Sequence, residues 1–255
     1  MSSPIGAHGG YRRTYSFGYT CLIYHATCTF CRKNLNHIND PLGKTAGQMI
    51  GAARSARQNI VEGSSRAGTS RETELKLFDV AKGSLEELAG DYEAFLEEER
   101  CLPWNPEQEE LRHFKTLRLD EFTFQGDYEE ERYEYGKYFL KMRERFAPWL
   151  EADEAIKSAN SILVTIDQAR KLLARQIQVI ALEITEQGGF TERLSQFRIR
   201  RRNEKALEEV GNAESPICPI CGKPMRKILA QRGKNAGKAF WGCIGYPDCR
   251  GTRDL

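Results

Sequence analysis

Eight cysteines stand in this 255-residue chain, and their spacing separates them into two groups. Near the C-terminal end, Cys218 and Cys221 form a C-x2-C pair. Twenty-one residues later, Cys243 and Cys249 form a C-x5-C pair. Two thiolates that close in sequence can bind one metal together, because a tight knuckle aims both sulfurs at one point. "CPICGKP" holds the Pro and Gly such a turn needs, and so does "CIGYPDC". Four thiolates suit tetrahedral zinc and leave no position for a reactive water. The chemistry expected is therefore structural Zn2+ binding by Cys218, Cys221, Cys243 and Cys249, through which the metal supplies folding free energy. Such a site can also be only a fold staple or a protein-docking knob.

The residues between and beside the pairs point to an anionic partner. Lys223, Arg226, Lys227, Arg232, Lys234 and Lys238 precede Phe240 and Trp241; Tyr246 and Arg250 follow. Cations contact phosphate, and aromatic faces stack on unpaired bases. From residue 216 onward there are eight Lys/Arg against two Asp, a net +6, which leaves −4 for the rest of a chain whose total is +2. The stretch 91–132 alone carries −9. A basic end on a mildly acidic body places the anionic partner at that end.

The other cysteines read differently. Cys21, Cys28 and Cys31 fall on one helical face with Tyr24 and Leu35, where cysteine acts as a small hydrophobe. "CTFC" could be a redox pair, or a metal site with Cys21 and His25, but no βαβ pattern surrounds it. Cys101 has no partner in sequence. The four histidines are scattered, and the chain contains no P-loop, G-x-G-x-x-G or H-E-x-x-H. The expectation is a protein that is not an enzyme.

Forty residues cannot bury a self-sufficient core, so the C-terminal module needs its metal; the remainder is long enough to build one. Its elements are helical. "KTAGQMIGAARSARQNIVEG" is rich in small residues that let a neighbour approach closely. Thr69 and Glu72 predict a capping box for the next helix, on which Phe78, Ala81, Leu85, Leu88, Tyr92 and Phe95 step by three and four. Ala159, Ile162, Ile166, Ala169, Leu173, Ile177, Ile180 and Ile184 do the same on a helix over about 154–187. With the cysteine-bearing first helix, these predict a mainly α fold: an antiparallel up-down four-helix bundle, plus a small β zinc ribbon. The expected organisation is a tail at 1–17, the bundle at 18–202, a helical insert at about 101–153, a linker at 203–215 and the ribbon at 216–255. "FRIRRRNEK" is either a solvated exit from the bundle or an extension of the basic track. No leader or membrane-spanning run is evident, which predicts a cytoplasmic protein with no membrane partner.

On the second helix, Gln48, Ser55, Asn59 and Glu62 form a polar stripe beside Met49, Ala53, Ala56 and Ile60. It is either a solvated edge or a hydrogen-bond network that fixes helix register.

Two resemblances extend this reading. The segment "GQMIGAARSARQNIVEGSSRAGTSRETELKLFDVAKGSLEELAGDYEAFL" resembles the small bacterial four-helix-bundle proteins encoded in intervening sequences of large-subunit ribosomal RNA genes. Their fold is shared by the accessory variability proteins of diversity-generating retroelements. The insert and the last long helix resemble the four-helix-bundle suffix-domain subgroup. This implies a homo-oligomer and, by the retroelement comparison, a reverse transcriptase and its RNA as partners. "CPICGKPM" and "GKAFWGCIGYPDCRGT" resemble the C-terminal zinc ribbons of type IA DNA topoisomerases. That implies single-stranded DNA binding, without the catalytic domains that would carry the topoisomerase reaction. The functions expected are a nucleic-acid-binding protein, a retroelement or mobile-element accessory factor, or a protein-docking adaptor.

Overall fold

The computed structural model describes residues 10–187, 192, 194–199, 201, 215–230 and 238–254. The chain is mainly helical, with a three-stranded antiparallel sheet near the C-terminus. Its contacts divide it into two compact units, with the boundary along the chain between residues 189 and 190. Of the expected linker at 203–215, residues 203–214 lie outside the described residues.

In the first unit, α1 (Tyr15–Asn34), α2 (Lys44–Arg66), α3 (Arg71–Glu98) and α6 (Ala155–Gln187) form a ring in which each helix packs on the next and α6 returns to α1. Two ion pairs show the alternating directions. Arg71 at the start of α3 meets Glu183 near the end of α6 at 2.6 Å. Lys33 near the end of α1 meets Asp153, just before α6, at 2.8 Å. The apolar residues named from periodicity on α3 are all buried. On α6 they are buried from Ala159 through Leu173 and again at Ile180, while Ile177 and Ile184 are half-buried at the margin. Small residues set the α2–α3 distance: a Cβ at Gly63 would stand 2.8 Å from the Phe78 ring.

Helix α1 is buried at every position from Ser16 to Ile23. A helix buried all round needs cover on its second side, and the insert supplies it. There, α4 (Glu109–Phe114) and α5 (Tyr128–Leu150) flank a connecting segment, and α5 packs on α1 and α6. Phe114, Leu119, Phe122, Met142 and Phe146 join the same apolar cluster as the ring. A Cβ at Gly18 would lie 2.8 Å from Leu119, so glycine admits the insert. The insert is thus a fifth wall of the core. Contacts of the helical body also include residues before 18. Thr14 caps α1, Phe17 is buried, and Arg12 and Arg13 reach Glu131 of α5 at 3.3 and 3.2 Å.

Two local expectations are corrected. The N-cap of α3 is Ser70: its Oγ accepts from the Thr73 N–H at 3.2 Å and donates to Glu72 at 3.1 Å. Thr69 is occupied in the turn that ends α2, where its N–H and hydroxyl both donate to the Arg66 carbonyl. The polar stripe also divides. Asn59 donates to the Ser55 backbone carbonyl at 3.0 Å and to the Ser55 hydroxyl at 3.1 Å, and Ser84 of α3 donates to that hydroxyl at 3.0 Å. Gln48 and Glu62, at the ends of the stripe, are exposed. The network is therefore Asn59–Ser55–Ser84.

Burial pushes the Cys21 and Cys31 thiols up to about 12 and lowers the His25 imidazole. Cys28 is half-buried, and among the described residues no metal-type cluster includes these side chains. They act as core residues. No helix among the described residues is long and apolar enough to cross a membrane.

Candidate metal centre and nucleic-acid groove

The second unit builds its site from two knuckles and a sheet. The first knuckle turns back at once: the Cys218 N–H donates to the Lys223 carbonyl at 2.8 Å, and the Gly222 N–H to the Cys218 carbonyl at 3.0 Å. Gly222 sits at φ 68°, a left-handed position that favours glycine. The chain then forms β1 (Met225–Leu229), β2 (Ala239–Cys243) and β3 (Thr252–Asp254), antiparallel in that order. Cys243 ends β2, and the second knuckle brings Cys249 round, its N–H donating to the Gly245 carbonyl at 2.9 Å.

All four sulfurs lie within 4.8 Å of one another. Cys218 and Cys249 are 3.7 Å apart, Cys221 and Cys243 3.4 Å. Zinc–sulfur bonds of about 2.3 Å in a tetrahedron put sulfurs about 3.8 Å apart, so the donor set fits zinc. The Gly245 N–H donates to the Cys243 sulfur at 3.3 Å, a contact that steadies a thiolate. A Cβ at Gly251 would collide with the Cys218 sulfur, so glycine there keeps the centre open. Cys218, Cys243, Cys249 and Met225 form the buried core of this unit, with Trp241 packed against it. Without a metal the thiols are unequal. Hydrogen bonding from the backbone of Cys221 and Ile220 holds Cys218 down to about 7, while burial pushes Cys243 up to about 12.

The sheet carries a groove of about 440 Å³, lined among others by Arg226, Ile228, Phe240, Tyr246, Arg250 and Thr252. Gly242 opens it, since a Cβ there would strike Ile228. The Nε of Arg226 is buried and has no hydrogen-bond partner among the described residues. A buried donor without a partner is costly, and an anionic oxygen would satisfy it.

The residues expected to bind nucleic acid thus divide. Arg226, Phe240, Tyr246 and Arg250 line one groove. Lys227 and Trp241 belong to the alternate row of the sheet. Lys223 is exposed on the first knuckle and Lys238 just before β2; Arg232 and Lys234 lie outside the described residues. A sequence list could not separate the faces, because side-chain direction depends on strand register. Arg253, Ile228 and Thr252 escaped the sequence reading. Alternation along "MRKIL" would have put Ile228 on the face of Arg226, but β3 is three residues long and leaves no periodic signal.

Comparison with known proteins adds one likeness. No family model matches the chain, and no solved structure does. A 66-residue stretch, 26% of the chain, is 32% identical to the plasmid DNA topoisomerase I of Xylella fastidiosa, and the match spans 9% of that protein's length.

Proposed function

We propose that this chain is a zinc-dependent, non-enzymatic protein that grips single-stranded DNA or RNA through its C-terminal ribbon. The observation that carries the reading is the groove beside the four-cysteine centre. There Arg226, whose Nε has no partner among the described residues, and Arg250 line the groove together with two aromatic rings, Phe240 and Tyr246. Cations would neutralise phosphate, and the rings would stack on bases that only an unpaired strand exposes. The partial likeness to a topoisomerase supports a nucleic-acid partner. At 9% of that protein's length it does not support its reaction. In this reading the zinc holds the groove in shape, and the helical body supplies oligomerisation or a partner surface. That last role rests on the bundle-family resemblance, as does a reverse transcriptase as the partner.

The test is a mobility shift with single-stranded oligonucleotides. Wild type with zinc should bind, with affinity falling as salt rises. Cys218→Ser with Cys221→Ser should abolish the shift. Equal binding by that variant would remove the ribbon from the reading. Plasmid relaxation assayed on the same preparation should be absent.

A docking adaptor is the second reading. It is favoured by Ile217 and Ile220, which stand 65% and 72% exposed on the first knuckle. If zinc-loaded protein binds no nucleic acid at low salt, and Ile217→Asp with Ile220→Asp loses a protein partner, that reading replaces the first.

A further inference from the structure

The ribbon has a second face with the same chemistry as the groove. In an antiparallel sheet, residues paired across strands point to one side and their neighbours along each strand to the other. The register pairs Arg226 with Gly242 and Thr252, and Ile228 with Phe240 and Asp254. Those rows belong to the groove. The row between them pairs Lys227 with Trp241 and Trp241 with Arg253. It faces the opposite way.

This row is a cation, an aromatic and a cation on three adjacent strands. Strand spacing places the two flanking positions about 10 Å apart, with the indole between them. Lys227 and Arg253 are exposed, and Trp241 is half-buried, packed against the cysteine–Met225 core. The other strand positions on this face are Met225, Leu229, Ala239 and Cys243, none of them acidic; Cys243, at the end of its strand, also borders the groove. Of the described acids in residues 215–254, Asp254 belongs to the groove rows and Asp248 to the second knuckle. Among the described residues 215–254, no acid shares the Lys227–Trp241–Arg253 face, and its aromatic lies between the two cations.

From this register we infer that each ribbon binds two separate segments of single-stranded nucleic acid, one in the groove and one on the Lys227–Trp241–Arg253 ladder. The sheet lies between the two tracks, so a short strand seated on one face does not reach the cations of the other. The ladder suits phosphates flanking a stacked base, by charge and by ring placement. A ribbon so equipped holds two strands side by side. The inference rests on the reading of the ribbon as a single-strand grip, and its test separates the two claims.

The full-length, zinc-loaded chain is titrated with a six-nucleotide oligothymidylate, and the number bound per chain is counted by native mass measurement. Donor- and acceptor-labelled copies of the oligonucleotide report co-occupancy. Wild type should take two per chain and give energy transfer. Lys227→Glu with Arg253→Glu should take one and lose the transfer, with zinc content unchanged. Arg226→Glu with Arg250→Glu should also take one. Saturation of wild type at one oligonucleotide overturns the two-track inference and leaves the single-strand grip standing. So does a ladder variant that still binds two, or one that binds none, since the tracks would then be absent or not independent. No binding by wild type overturns the grip itself.

Discussion

The helical body and the ribbon solve the problem of a stable core by different means. The body buries large side chains in quantity: Tyr92, Phe30, Phe146, Leu85, Leu88 and Met142 are all under 2% exposed, drawn from the ring helices and the insert alike. The ribbon buries three cysteines and Met225 beside a few small or partly covered neighbours. Burial of a large apolar side chain contributes about 1.5–3 kcal/mol, so many such residues sustain a fold alone. Three cysteines with Met225 and Ile244 do not, and chelation has to make up the difference. The two units should therefore fail under different insults.

Metal removal should have the largest effect. Structural zinc contributes about 10–16 kcal/mol in finger-sized peptides, more than a forty-residue module holds by burial. Chelation, or Cys218→Ser with Cys221→Ser, should unfold the ribbon and leave the helical circular-dichroism signal intact. Limited proteolysis should then cut only beyond α6. The pH dependence has a definite sign. Metal-free Cys243, pushed up to about 12, keeps its proton across neutral pH, whereas Cys218, held to about 7, is part-ionised there. Zinc must displace the remaining protons, so binding releases them and weakens as pH falls. A zinc titration at pH 6 and pH 8 checks this; equal affinities would contradict a thiolate site.

The converse insult is a cavity in the body. Leu85 is fully buried, and Leu85→Ala should cost about 2–5 kcal/mol in a denaturant melt of the helical signal. Zinc content should not change. A variant that lost zinc along with helicity would mean that the two units fold as one.

Within the ribbon, Phe240→Ala separates grip from staple. It should leave the metal in place and weaken single-strand binding by about 1–3 kcal/mol, roughly 5- to 150-fold, the range for one stacked base. Arg226→Ala should instead flatten the salt dependence, by about 0.7 in the slope for one lost phosphate contact on a single strand.

What the sequence made legible follows the same division. Metal ligation is written in spacing, so Cys218, Cys221, Cys243 and Cys249 were readable as one cluster before any fold was known. The core faces of α3 and α6 were readable because a 3.6-residue period survives in the order of residues. Two things were not. The insert's burial depends on Gly18 meeting Leu119 across about a hundred residues, a contact without a local signature. Alternation alone sets Arg226 and Lys227 on opposite faces of β1, but which residues of β2 and β3 join each of them depends on register, which is fixed by pairing and not by so short a strand.

The smallest effect tests where a helix starts. Thr69 and Ser70 both fit the cap pattern by residue type, and only the turn ending α2 decides between them. Because the Thr69 hydroxyl already donates to the Arg66 carbonyl, the Thr73 N–H depends on Ser70. Ser70→Ala should therefore cost about 1 kcal/mol of body stability, the usual value of an N-cap. Thr69→Ala should cost less, because it leaves that N–H capped. Paired denaturant melts of the two variants resolve the difference, and a larger loss at Thr69 would move the cap back one residue. Neither substitution should alter zinc content or oligonucleotide binding. A capping defect is local to α3, and the ribbon's core is closed by its cysteines.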